Sequence, residues 1–261
     1  VNSIPSASFR QLQLSRQLLP APRIITLIGG GGKTSLMFLW ARGLREQGFA
    51  VVTTTTTKMC NDTPPEFRIT PIATLVTAQA ILQKSNDAIP LLIGEYLAAE
   101  NKLAGIPADW VDSLGRDFPA TFFLVEGDGS AGRSLKAHLP HEPVVPAATT
   151  LLTPVIGLDV LGRPLDARYV HRPELFAERV GMNPGELITP DAILKILFGS
   201  KGYLAKAPKT ATIIPFLNKL DTLPQPEVGF ALARQILAIG HPQIPSVWIG
   251  SVQQNQFTEL S

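Results

Sequence analysis

A run of four glycines set between a buried strand and a helix constrains this chain more than any other feature. Gly29-Gly30-Gly31-Gly32 leads directly into Lys33, Thr34 and Ser35. The preceding stretch, Ile24 to Ile28, is a short apolar run, the pattern of a strand buried on both faces. Lys33 to Gln47 reads as a helix: Leu36, Trp40 and Leu44 recur at a spacing of four, and Gly48 ends it. Ala50 to Thr54 is a second strand. Strand, helix and strand within about thirty residues make a βαβ unit, which calls for parallel pairing.

Such a loop has a specific chemistry. A triphosphate needs several backbone N–H groups turned inward, and glycine lets the chain curl that closely. The helix that starts near Lys33 adds the positive end of its dipole. Lys33 would reach the β- and γ-phosphates, and the Thr34 hydroxyl would ligate Mg²⁺. One departure is evident. The pattern G-x-x-x-x-G-K-[ST] places a glycine five positions before Gly32, and that position is Leu27. The tail of the motif is intact and its head is replaced, which predicts a tighter loop with Gly29 taking the turn.

Downstream, Thr121 to Val125 is a buried strand that delivers Glu126, then Gly127, Asp128 and Gly129. A carboxylate at the end of a central strand is where phosphate-loop proteins hold Mg²⁺. Glu126 and Asp128 are therefore candidates for metal and water, against the simpler reading of an acidic turn favoured by Asp-Gly. A third signal closes the set. Asn218-Lys219-Leu220-Asp221 follows the apolar stretch Ala211 to Leu217 and has the N-K-x-D arrangement of GTP-binding proteins. An aspartate there can accept from both the ring N–H and the exocyclic amine of guanine, a donor pair that adenine lacks. Ser251 could touch the base from the last strand.

Weaker signals surround these. Thr53 to Thr57 suits a strand, but Thr57 and Lys58 should emerge at the carboxyl edge of the sheet, where open α/β sheets bind ligands. Arg133, Lys136, His138, His141 and Arg172 could bind an anionic second substrate; solvated loop residues are the plainer alternative. His138 and His141 lack the partners a zinc site needs. Cys60 reads as incidental.

The other predicted elements are helices over Thr77–Lys84, Ala108–Leu114, Pro190–Phe198 (capped by Thr189) and Val228–Leu237. The remaining strands are Leu91–Ile93, a weaker Leu151–Ile156 interrupted by Pro154, Ala211–Leu217 and a final Ser246–Ile249. Proline makes up 23 of the 261 residues, and many lie between Pro140 and Pro190. That concentration predicts a loop-rich insertion over 130–190 within one nucleotide-binding domain spanning 1–261. The length suits one large domain with a substantial core.

Charge and composition remove several classes. The net charge is +2 and there is no dense basic block, so nucleic acid is not an expected partner. No run approaches the roughly 18 apolar residues of a membrane span. The stretch from Val1 to Pro20 has no signal-peptide core, and a single cysteine fits the reducing cytoplasm.

Together these motifs resemble a known family. Ile28 to Thr34, the Thr53–Lys58 run, Val125 to Arg133, Leu135-Lys136-Ala137-His138, His141-Glu142-Pro143, His171-Arg172 and Asn218 to Asp221 look like the YqeC family, over roughly Ile24 to Ile249. The segment from Glu126 to Pro143 is the most family-specific part. The resemblance implies an accessory protein for selenium-dependent molybdenum hydroxylases, with such an enzyme or a selenium-handling protein as partner. The expectation is a three-layered α/β P-loop NTPase-like fold with a mainly parallel sheet. Its expected activity is a Mg²⁺-dependent, GTP-preferring NTPase. A small-molecule kinase or nucleotidyl transferase using ATP or GTP is the alternative, and a nucleotide-gated binding module a third reading.

Overall fold

The computed structural model describes residues 23–84 and 88–261; the reading of Val1 to Pro20 lies outside them. The chain opens with β1 (Arg23–Gly29), α1 (Lys33–Glu46) and β2 (Val51–Thr55). Then come β3 (Met59–Cys60), β4 (Phe67–Pro71), α2 (Leu75–Leu82), β5 (Ile89–Ile93), β6 (Tyr96–Leu97) and β7 (Lys102–Leu103). The middle holds α3 (Ala108–Asp117), β8 (Phe122–Glu126), β9 (Leu135–Lys136), β10 (Leu151–Gly157), β11 (Val170–His171), α4 (Pro173–Val180) and α5 (Pro190–Phe198). The chain closes with β12 (Thr212–Ile213), β13 (Phe216–Asn218), α6 (Pro226–Ala238), β14 (Val247–Ser251) and β15 (Gln256–Leu260).

The main sheet runs in the order β15-β14-β13-β10-β1-β8-β2-β5-β4, with β12 also paired to β10. Its pairings are parallel except for the antiparallel β14–β15 edge. This is an α/β architecture with a mainly parallel sheet, as the βαβ reading required. β1 lies between β8 and β10, in registers that set Leu27 beside Glu126 and Gly29 beside Val155. From β1 the chain crosses to β2 on one side, and later strands fill the other. The glycine loop therefore leaves β1 at the point where strand order reverses, the position at which open α/β sheets form a ligand crevice.

Alternation along β1 sets the layers. Ile25 and Leu27 pack with Leu36, Trp40 and Leu44 of α1 on one face. On the other face, Ile24 meets Ala78 of α2 and Val111 and Leu114 of α3. Ile28, on that same face, joins a cluster with Phe176 of α4, Ile193 of α5 and Leu232 of α6. Trp40 meets Trp248 edge-on with centroids 5.6 Å apart, which ties α1 to β14; such pairs add about 0.5–1.5 kcal/mol beyond burial.

Several elements differ from expectation. The strand marked as weak, Leu151–Ile156, is the seven-residue, fully buried β10. Pro154 is tolerated there for a geometric reason. Val155 O accepts from Gly30 N and Leu152 O from Ile214 N, so alternate residues face opposite neighbours. Pro154 therefore turns its missing donor toward the break between β12 and β13, where no ladder bond is lost. Pro215 makes that break and splits the strand expected over Ala211–Leu217. β10 also lies within 130–190, so that stretch contributes a core strand to the main sheet. Ser246–Ile249 does not end the sheet, because β15 follows it. The short β3-β7-β6 sheet, the β9–β11 pair and α4 carry too few residues for a periodic signal.

Candidate functional site

The loop that follows β1 is held by its own surroundings. Gly29 N–H donates to both Asp128 oxygens at 3.1 and 2.9 Å. Gly30 N–H donates to Val155 O at 3.0 Å and Gly31 N–H to Arg133 O at 2.9 Å. Gly31 has φ +81°, and a Cβ there would stand 2.4 Å from Gly157 N. Only glycine combines that backbone conformation with so close an approach. The N–H groups of Gly29, Gly30 and Gly31 thus fix the loop. The N–H groups of the first turn of α1, at Lys33, Thr34 and Ser35, have no intrahelical acceptor.

Lys33 is buried, 3% exposed. Its Nζ donates to Gly29 O at 2.7 Å and pairs with Asp128 Oδ1 at 3.2 Å, with Glu126 Oε1 at 4.0 Å. Thr34 Oγ1 donates to Glu126 Oε2 at 2.6 Å. Burial pushes the Glu126 carboxyl above its usual range, with Lys33 and the Thr34 hydroxyl offsetting part of that. Lys33, Thr34 and Glu126 therefore meet at one point, as their motifs suggested.

Asp128 lies closer to Lys33 than Glu126 does, yet is turned wholly inward. Its side chain is fully buried and enclosed by Gly29 N–H, Lys33, His138 Nε2 and Lys136 Nζ, the last at 3.4 Å. Burial alone would raise its carboxyl; Lys33, the His138 hydrogen bond and Lys136 instead hold it well below the carboxylate range. Lys136 and His138, taken from sequence as contacts for a second substrate, are buried behind it. Lys136 Nζ donates to Gly129 O at 2.6 Å and to Glu142 Oε2 at 3.2 Å. Burial lowers the pKa of both Lys136 and His138. Glu142 takes a two-pronged contact from Arg172 at 2.6 and 3.1 Å. Burial would raise Glu142, but Arg172, Leu139 N–H and Lys136 bring it down to about 2. Tyr203 completes the cluster: its oxygen accepts from Lys136 N–H at 3.1 Å, and its ring lies 4.9 Å from that of His138. The sequence held no clue to Tyr203, which arrives from a distant turn.

Two clefts meet at the loop. The first, about 710 Å³, has Gly31, Gly32, Thr34 and Ser35 on one side and Asn218, Lys219, Asp221 and Ser251 on the other. Asn218 fastens the sides together: Nδ2 donates to Gly31 O at 2.6 Å, and Oδ1 accepts from Val252 N–H at 2.9 Å. Lys219, at φ +65°, reaches Ser134 Oγ at 2.7 Å and Asp159 Oδ2 at 2.8 Å. Asp221 is exposed at the cleft. The second cleft, about 680 Å³, shares Gly31, Gly32, Thr34, Ser35 and Lys219 with the first and adds Lys33 and Glu126. It is walled by Thr57, Lys58, Arg133, His141 and Arg172, and also by Lys102 and His171. Burial and the neighbouring Arg172 lower the pKa of His171. Among the described residues, no group of three or more His, Cys, Asp or Glu side chains is arranged to hold a metal. None of the described helices is long and apolar enough to cross a membrane.

Fold and site define the class: a mainly parallel α/β protein with a glycine-rich loop at the carboxyl edge of its sheet and a buried acid beside it. Comparison with known proteins then gives the family. The family model described as YqeC protein matches residues 25–174, and the chain belongs to the YqeC family. It is 27% identical over 239 residues to the "Uncharacterized protein YqeC" of Escherichia coli (strain K12), covering 90% of this chain and 89% of that protein.

Proposed function

We propose that this protein binds a Mg²⁺–nucleoside triphosphate, guanine in preference to adenine, and acts on its γ-phosphate. The observation that carries the reading is the junction of Lys33, Thr34 and Glu126 at the loop where the two clefts meet: Thr34 lines both, Lys33 and Glu126 line the second, and Asn218, Lys219 and Asp221 wall the first. The first turn of α1 supplies N–H donors and a positive dipole end for the phosphates. Lys33 would leave Gly29 O to meet phosphate oxygens. Asp221 would accept from guanine.

Mg²⁺ fits the donors present. It takes few protein oxygens and completes its shell with phosphate and water, and Thr34 Oγ1 and Glu126 Oε2 are two such oxygens, 2.6 Å apart. Bound there, the ion would neutralise charge developing on the phosphates. Asp128, enclosed by four donors, would serve as the brace that positions Lys33 and Gly29 N–H. The family resemblance supplies the setting, an accessory factor in maturation of a selenium-dependent molybdenum hydroxylase. A transferase reading is favoured by one observation, the second cleft opening on the same loop.

Calorimetry with GTP and ATP, with and without Mg²⁺, tests the proposal. Wild type should bind Mg²⁺–GTP about 5- to 150-fold more tightly than Mg²⁺–ATP, the cost of one unsatisfied buried partner being about 1–3 kcal/mol. Absence of binding by either nucleotide would end it.

A further inference from the structure

The second cleft is larger than a phosphate loop needs, and its charge is unbalanced. Asp221 does not line it, so a base seated against Asp221 would leave it open beyond its loop end. Besides Lys33 and Lys219 at its loop end, cationic side chains enter from four separate segments: Lys58 after β2, Lys102 in β7, Arg133 before β9 and Arg172 after β11. Their partners differ in a way that matters. Lys58 and Lys102 share one exposed carboxylate, Glu100, at 2.8 and 3.0 Å, and exposed pairs of this kind are weak and screened. Arg172 is taken up by Glu142. Arg133 donates only to backbone carbonyls, Ala167 O at 2.8 Å and Ala131 O at 2.5 Å. No carboxylate among the described residues pairs with it.

Backbone strain gathers at the same wall. Ala131 and Arg172 have φ +48° and +64°, a conformation that costs non-glycine residues about 1–3 kcal/mol and persists where the surroundings enforce it. Both line this cleft. The strained turn at Ala131 is the one that presents Arg133. Gly31 N–H is bonded to Arg133 O, so the phosphate loop and the arginine-bearing turn form one rigid unit.

We infer that the second cleft binds a small oxyanion-bearing molecule, held by Arg133 and the Lys58–Lys102 pair, beside the γ-phosphate end of the nucleotide site. The inference rests on the nucleotide reading above, because that reading fills the first cleft and the loop end of this one, where Lys33, Thr34 and Glu126 lie, and leaves the wall of Lys58, Lys102 and Arg133 for a second ligand. A cationic chamber of several hundred cubic ångströms is of the size that encloses a small molecule. Arginine's planar fork suits an oxyanion better than a point charge would.

The test uses the full chain saturated with Mg²⁺ and a non-hydrolysable GTP analogue, titrated with inorganic phosphate as the probe. Analogue affinity is measured first in the same samples. Wild type loaded with analogue should bind phosphate. Arg133→Ala should weaken phosphate binding at least tenfold, and Lys58→Ala several-fold, with analogue affinity unchanged within about twofold. Both side chains lie outside the core, so the variants should fold. If the analogue binds and phosphate does not, or if both variants bind phosphate as wild type does, this inference fails and the nucleotide reading stands. If phosphate binds only in the absence of analogue, these cations serve the nucleotide's own phosphates and the second ligand is excluded. If the analogue itself does not bind, both readings fall together.

Discussion

Lys33 holds two positions in the physics of this protein, and a substitution cannot separate them. Its ammonium would serve the phosphates, yet it also compensates the fully buried Asp128. Removing one member of a buried ion pair costs about 3–5 kcal/mol. Lys33→Ala should therefore abolish nucleotide binding and also lower the melting temperature. A melting temperature equal to wild type would show that Lys136 and His138 suffice to hold Asp128. Glu142 gives a second residue-scale expectation. Its folded pKa is depressed, from 4.5 to about 2, so its contribution is present above the unfolded value and is lost as pH falls through that window. Denaturation profiles of Glu142→Gln should be flatter than wild type between about pH 4.5 and 2. An unchanged acid limb would place the effect in other groups.

At the scale of elements, the loop between β1 and α1 works because it is packed rather than because it is flexible. Gly31 faces Gly157 at the end of β10, glycine against glycine, and the adjacent N–H groups are spent on Val155 O and Arg133 O. Gly31→Ala should strain the backbone by about 1–3 kcal/mol and drive the loop off β10. Chemical denaturation should report the loss, and nucleotide titration a parallel loss of binding. Wild-type affinity in this variant would mean that the loop does not have to keep its packed form. The sequence showed that glycines were needed here. It did not show that their donors are used internally, because that depends on β10 and on Arg133, more than a hundred residues downstream.

For the whole molecule, the proposed nucleotide site bridges both halves of the sheet. Asn218 ties Gly31 to the turn after β14, so a ligand between them should clamp the fold. Mg²⁺–GTP at a hundredfold excess over its dissociation constant should stabilise the chain by about 2.7 kcal/mol, with less from Mg²⁺–ATP at the same concentration. Asp221 is exposed, so Asp221→Asn should leave the unliganded melting temperature unchanged and remove the difference between the two nucleotides. If the difference survives, base preference does not reside in Asp221.

What the sequence determined by itself was local: the strand, glycine loop and helix at Ile24–Gln47, the acid after β8, the polar turn after β13 and the parallel α/β class. These are set by periodicity, by glycine's freedom and by the reach of a side chain along its own segment. Tertiary structure decided which of the polar residues line a cleft and which face one another. Asp128, Lys136 and His138 read as site residues because they lie close to Glu126 in sequence; the packing of α4 and Tyr203 behind them turns that proximity into a buried brace. The two clefts, and the division of cations between them, likewise exist only once β10 lies beside β1 and β13 beside β10, because charge balance is a property of neighbours in space and no single segment carries it.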